Sequence, residues 1–339
     1  MDSSVKTPDA NYAVTCYLGP AHDLYHLSNV VTGLAELAVA GSVDLRFGPA
    51  DADSRKPLES AAMRVTVGRA GRVIDVVFDL YDRADHFEMP LLEDCDVYFK
   101  RSFHPPARTK VVPFGLNFGC LNASGEALLA AARLPLSDSL NRYRTVRSIE
   151  DFEQDAASEV RPSILFQTRA WPPGSTTDDT EAINESRVRI IEALRNAFPS
   201  RFYGGFAPTA FARERYPHLI TTSPSTPPEY LAFSKQHLVG VSSRGLHGSV
   251  PFKIAEYVAA SLAIVSEPLH CELPTAFVDG RDFLAFRTPD ECVERCERIL
   301  NSPTLAAELR RASRRYYLSQ LQPASHMQAL LQRAFEVCG

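Results

Sequence analysis

At 339 residues the chain is longer than one hydrophobic core ordinarily fills and suits two domains of about 150 residues each. With 45% hydrophobic and 23% charged residues it has the composition of a globular protein, and a formal net charge of −5 without a basic block argues against nucleic acid as a bulk partner. No apolar run reaches the roughly 18 residues of a membrane-spanning helix, and seven scattered cysteines with no CxxC pair and no apolar leader point to reduced thiols in a cytoplasm.

The first ten residues are polar and read as loose chain. Tyr12 to Leu18 is predicted as a strand, closed by Gly19 and Pro20, and a helix from about Asp23 to Ala40 carries the apolar stripe Leu27, Val30, Val31, Leu34 and Leu37. Further strands are predicted over Val43 to Phe47, Met63 to Val67, Arg72 to Leu80, Asp96 to Lys100 and Lys110 to Pro113. Short strands alternating with helical or irregular segments imply an α/β domain. Residues 124 to 145 read mostly as helix, and the polar, acidic stretch 146 to 161 marks a boundary, giving expected domains of 1–150 and 151–339.

A second series begins with the strand Ile164 to Thr168, a loop over 169 to 179 rich in Pro, Gly, Ser and Thr, and a helix from about Thr180 to Phe198. On that helix Asn184, Glu185 and Arg187 read as a structural network. Short strands follow at Phe202 to Gly204 and Leu219 to Thr222, and Pro227-Pro228 opens a helix at Glu229 and Tyr230. The stretch that organises this half runs from a buried strand, His237 to Val241, through a loop at 242–251 into a helix from Phe252 to Ala260, then the strand Ala263 to Val265. The unpaired N–H groups at that helix's start face whatever the loop holds, and an anion is the expected guest. Helices are predicted over Pro289 to Leu300 and Thr304 to Tyr317, and Cys292 and Cys296, one turn apart on the first of them, read as packing residues.

The run Lys253-Ile254-Ala255-Glu256-Tyr257-Val258, then Ile264-Val265-Ser266, Leu273-Pro274, Val278-Asp279-Gly280-Arg281-Asp282-Phe283-Leu284, Glu291-Cys292 and a late helix through Tyr316 and Tyr317 before Pro323 resembles the carboxyl half of retaining, group 1 nucleotide-sugar glycosyltransferases of the GT-B fold. The likeness covers about residues 160 to 325; the amino half is similar only in its α/β rhythm. It implies two Rossmann-like domains facing a cleft, with the donor's nucleoside diphosphate held by the second, no cofactor and no metal. Glu256 matches a glutamate that accepts the ribose hydroxyls, and Arg169 and Lys253 match charges on the diphosphate. Retaining members commonly carry a second glutamate eight residues before the first, where this chain has Gly248; His247, Ser249 or backbone amides are the candidates to face the sugar there. Plainer readings stand beside these: a solvated helix face for Lys253 and Glu256, an ion pair of Arg169 with Asp178 or Asp179, and loop packing for His247.

The acceptor side and any base fall to the amino half. Asp79 and Asp82 follow a strand end, where α/β sites lie, and either could orient an acceptor hydroxyl or serve turn and cap chemistry. Lys100-Arg101-Ser102 offers positive charge after another strand, or a structural ion pair, and Gly19 to Asp23 with His22 closes the first. The resulting expectation is sugar transfer from a nucleotide-diphosphate donor to a glycan or lipid-linked acceptor in surface polysaccharide or glycoconjugate synthesis, with peripheral membrane contact allowed. A sugar-nucleotide epimerase or hydrolase, or a catalytically silent binding module, is the alternative.

Overall fold

Alternation of β-branched strands with amphipathic helices builds two sheets, in a computed structural model that describes residues 11–20, 22–50, 61–104, 109–133, 146–175 and 179–339. Two units result. The first takes the described residues up to Ile149 with Glu272–Thr275 and Leu318–Gly339; the second takes Glu150–Cys271 and Ala276–Tyr317.

In the first unit β1 (Tyr12–Leu18) runs into α1 (Leu24–Val39), started by Asp23, whose carboxylate accepts from Tyr25 N–H at 3.0 Å. The chain returns as β2 (Val43–Pro49), parallel to β1. Next, β3 (Ala62–Arg69) and β4 (Arg72–Asp79) form an antiparallel hairpin. Its two-residue turn, Ala70-Gly71, has φ of 51° and 81°, the left-handed pair that matches strand twist. Both strands are legible in the sequence, whereas the hairpin departs from simple α/β alternation. After α2 (Met89–Asp94) come β5 (Val97–Lys100) and β6 (Val111–Pro113), and the order β2-β1-β3-β4-β5-β6 is parallel except at β3. A small pair, β7 (Cys120–Leu121) and β8 (Arg147–Ser148), flanks α3 (Ala123–Ala131). The remainder of the helix expected over 124–145 lies, from 134 onward, outside the described residues.

The division differs from the expected one in its last helix. The second unit begins within α4 (Ile149–Phe152), at Glu150, yet the helix Pro323–Cys338 returns to the first, burying Met327, Leu330, Leu331 and Ala334 in the core that also holds Leu27, Val31 and Leu34 of α1. The two helices touch so closely that a Cβ on Gly33 would lie 2.2 Å from the carbonyl oxygen of Pro323. An amphipathic helix at the end of a chain carries no mark of which core it will complete.

The second unit is wholly parallel: β9 (Arg161–Thr168), α5 (Thr180–Ala197), β10 (Phe202–Phe206), α6 (Ala210–Arg215), α7 (Pro227–Ser234), β11 (His237–Ser242), α8 (Phe252–Ala259), β12 (Ala263–Ser266), β13 (Leu284–Ala285), α9 (Pro289–Asn301) and α10 (Pro303–Tyr316), with sheet order β10-β9-β11-β12-β13. Together the two sheets give the Rossmann-like pair expected of a GT-B chain. Leu219 to Thr222 is not a strand; Pro217–Leu219 forms a 3-10 turn, and Ile220 makes a single bridge to Phe206. Cys292, Cys296 and Ile299 bury one face of α9 in the core. Where α8 crosses β11, Gly240 is required: a Cβ there would lie 2.7 Å from the Tyr257 ring. The strand order reverses between β9 and β11, and the crevice beyond the carboxyl ends at such a reversal is where open α/β sheets bind ligands.

Candidate functional site

Arg169 is the first residue beyond β9. It is exposed, and among the described residues its side chain has no hydrogen-bond or ion-pair partner. The loop after β11 turns through Leu246–Gly248, with His247 and Gly248 in the left-handed region at φ of 56° and 68°. It then closes on itself, because both the N–H and the hydroxyl of Ser249 donate to the Leu246 carbonyl, at 3.0 and 2.8 Å. Ser249 is therefore spent on the turn, and His247 helps to shape it. A Cβ on Gly248 would meet nothing within 4 Å, so the position opposite α8 is open space. A shallow depression is lined here by Ser243, Arg244, Gly248 and Ser249, and by Glu267 and His270 beyond β12. The helix that follows has Pro251 at its N-cap, which supplies no side-chain cap, and its Ile254 N–H donates to the Pro251 carbonyl at 3.1 Å.

On the first turn of α8, Lys253 and Glu256 form an ion pair at 3.3 Å. The Lys253 ammonium also lies 3.3 Å from the centre of the Tyr230 ring, whose hydroxyl donates to Tyr257 Oη at 3.3 Å. Burial lowers the Lys253 pKa and the charge of Arg169 lowers it further, while Glu256 opposes both. Arg169 thus acts electrostatically on Lys253. Glu256 Oε2 is buried and faces the Lys253 ammonium as its ion-pair partner. Sequence reasoning named Arg169, Lys253 and Glu256 but missed Tyr230; its place in the first turn after Pro227-Pro228 is the signal that was available.

Beneath this surface, Asn184 pairs with the backbone of Trp171, accepting from its N–H at 3.0 Å and donating to its carbonyl at 2.8 Å. Arg187 donates to Ser243 Oγ, to the Arg169 carbonyl and to the Arg244 carbonyl. Glu185 is exposed and takes no part. The expected network on the helix exists, but it reaches into two loops. Asn184 and Arg187 share a face with the buried Ile183, Ile190 and Ile191, and polar residues on an apolar face were the readable sign.

The first unit differs from expectation. Asp79 is fully buried, accepting from the Lys100 ammonium at 2.7 Å, the Tyr98 hydroxyl at 2.6 Å and Tyr81 N–H at 3.0 Å. It is a core ion pair and presents nothing to an acceptor. Lys100 and Arg101 are also buried, the latter paired with Asp82, so the charges after β4 and β5 satisfy one another. His22 Nδ1 accepts from Gly19 N–H at 3.0 Å, which is turn chemistry. Among the described residues no group of three or more His, Cys, Asp or Glu is placed to hold a metal ion, and no helix is long and apolar enough to cross a membrane.

The second sheet is parallel, and cations gather at its switch point. Residues 187–332, a segment that carries most of the site, match the family described as "Glycosyl transferase-like". No curated protein matches the chain. Among solved structures it is similar to the carboxyl-terminal domain of a glycosyl transferase group 1 family protein, LpcC, from Francisella tularensis, with 11% identity over 51% of this chain and 96% of that one and a TM-score of 0.37. A putative UDP-N-acetylglucosamine 2-epimerase from Listeria monocytogenes gives 12% identity over 71% and 60%, with a TM-score of 0.37. A mutant of S. aureus TarM in complex with fondaparinux, alpha-GlcNAc-glycerol and UDP gives 10% over 80% and 64%, also at 0.37. At these scores the structural likenesses carry no argument, and the family match covers residues 187–332.

Proposed function

We propose that this protein transfers a sugar, with retention and without a metal, from a nucleotide-diphosphate donor to a hydroxyl of a glycan or lipid-linked acceptor in cytoplasmic glycoconjugate or surface polysaccharide synthesis. The observation that carries the reading is the convergence of Arg169, Lys253, Glu256 and the uncapped start of α8 at the switch point of the second sheet. Breaking the bond between sugar and diphosphate leaves negative charge on the departing phosphate. Two side-chain cations and a helix amino terminus stabilise that charge where it develops. Glu256 takes the ribose hydroxyls, and the open space at Gly248 leaves backbone N–H groups, in place of a carboxylate, to face the sugar.

The test is turnover of a panel of UDP-, GDP- and ADP-sugars by the purified chain, with and without EDTA. The reading expects turnover of one base series, undiminished by chelation. Complete loss on chelation, restored by a divalent cation, contradicts the metal-free mechanism; no turnover of any donor contradicts the enzyme.

A further inference from the structure

Arg187 is a buried cation whose partners are all neutral. Its side chain leaves only 6% of the residue exposed, and no carboxylate stands within ion-pair distance among the described residues. The three hydrogen bonds run from Nε to Ser243 Oγ at 3.1 Å, from Nη1 to the Arg169 carbonyl at 2.7 Å and from Nη2 to the Arg244 carbonyl at 3.1 Å. These acceptors belong to the loop after β9 and the loop after β11, on either side of the switch point. One planar fork therefore fixes the separation of the two loops. The residues whose carbonyls it grips, Arg169 and Arg244, both keep their side chains exposed, and Glu267 Oε2 ties down Arg244 N–H at 2.6 Å. Burial lowers the Arg187 pKa to about 10, with Glu267 opposing, so the group stays charged at neutral pH.

We propose that Arg187 is a positioning residue: it sets the spacing of the two loops and presents Arg169 and Arg244 as a pair of cations for one diphosphate. This adds Arg244 to the anion site and rests on the donor reading given above. The geometry also explains why lysine cannot substitute. A single ammonium cannot reach three acceptors spread across a guanidinium plane, although it restores the charge.

The test is hydrogen exchange on the full chain carrying Arg187→Lys or Arg187→Met, followed by titration with UDP, GDP and ADP. Both variants should exchange the amides of 169–175 and 243–251 about tenfold faster or more, the usual cost of lost charged hydrogen bonds, while the interior of β9 and β11 keeps its protection. The diphosphate bound by the wild type should bind about tenfold more weakly to both variants. Uniform loss of protection through the strands would mean a purely structural role and overturn the proposal, as would wild-type loop protection in the lysine variant. If the methionine variant does not fold, the lysine variant decides alone. Should the wild type bind none of the three diphosphates while the loops still loosen as expected, the donor reading fails and the positioning role stands.

Discussion

The carboxyl ends of the two sheets carry similar residues put to opposite use. In the first unit Asp79, Lys100, Asp82 and Arg101 are paired, and Asp79, Lys100 and Arg101 are sealed from water. In the second, among the described residues, Arg169, Arg187, Arg244 and Lys253 stand with Glu256 and Glu267, and the exposed Arg169 side chain has no hydrogen-bond or ion-pair partner. A buried cation matched to a carboxylate contributes to folding alone. An unmatched one costs stability and creates a field, and unmatched charge at a strand end is what an anionic ligand can use.

The largest effect that would sharpen the contrast lies in the first unit. Asp79→Asn leaves the Lys100 ammonium buried without its counter-ion, so stability should fall by about 3–5 kcal/mol in chemical denaturation, with nucleotide affinity of the folded protein unchanged. A stability loss under about 1 kcal/mol would show that the pair is not the structural element described.

In the second unit, Arg169→Ala should leave the fold intact and lower donor turnover by roughly 10²–10³, more than it weakens nucleoside diphosphate binding, because the charge it meets develops during bond cleavage. Equal losses in turnover and binding would place Arg169 on the ground state only.

One histidine in each unit gives a pH signature. Burial pushes His326 of the first unit and His237 of the second down to about 4. A depressed folded pKa means that stability is full above the unfolded value near 6.5 and is lost as pH falls from there towards 4, by up to about 3 kcal/mol for each. His326→Gln should flatten this acid dependence in the melting temperature of the first unit, and an unchanged pH profile would remove His326 from the account.

The sequence shows the rhythm of both sheets because strands and amphipathic helices are local patterns, and the organising stretch from His237 to Val265 stands where it was expected. The β3–β4 hairpin and the return of the last helix escaped it, since pairing and docking are decided by contacts distant in the chain. The same holds for charge. Asp79 at a strand end and Glu256 on a helix both read as candidate site carboxylates, and only burial and partners separate a spent residue from a usable one. Arg187 was visible as a polar residue on an apolar helix face, but its acceptors lie 18, 56 and 57 residues away.

The most direct measurement is calorimetric titration of the diphosphate that binds, carried out on wild type, Glu256→Gln and Asp79→Asn at one pH and salt concentration. The account predicts binding at one site per chain, weakened by about 1–3 kcal/mol in Glu256→Gln, the cost of a lost charged hydrogen bond, and unaltered in folded Asp79→Asn. Undiminished affinity in Glu256→Gln, or loss confined to Asp79→Asn, would contradict it and move the anion site to the other sheet.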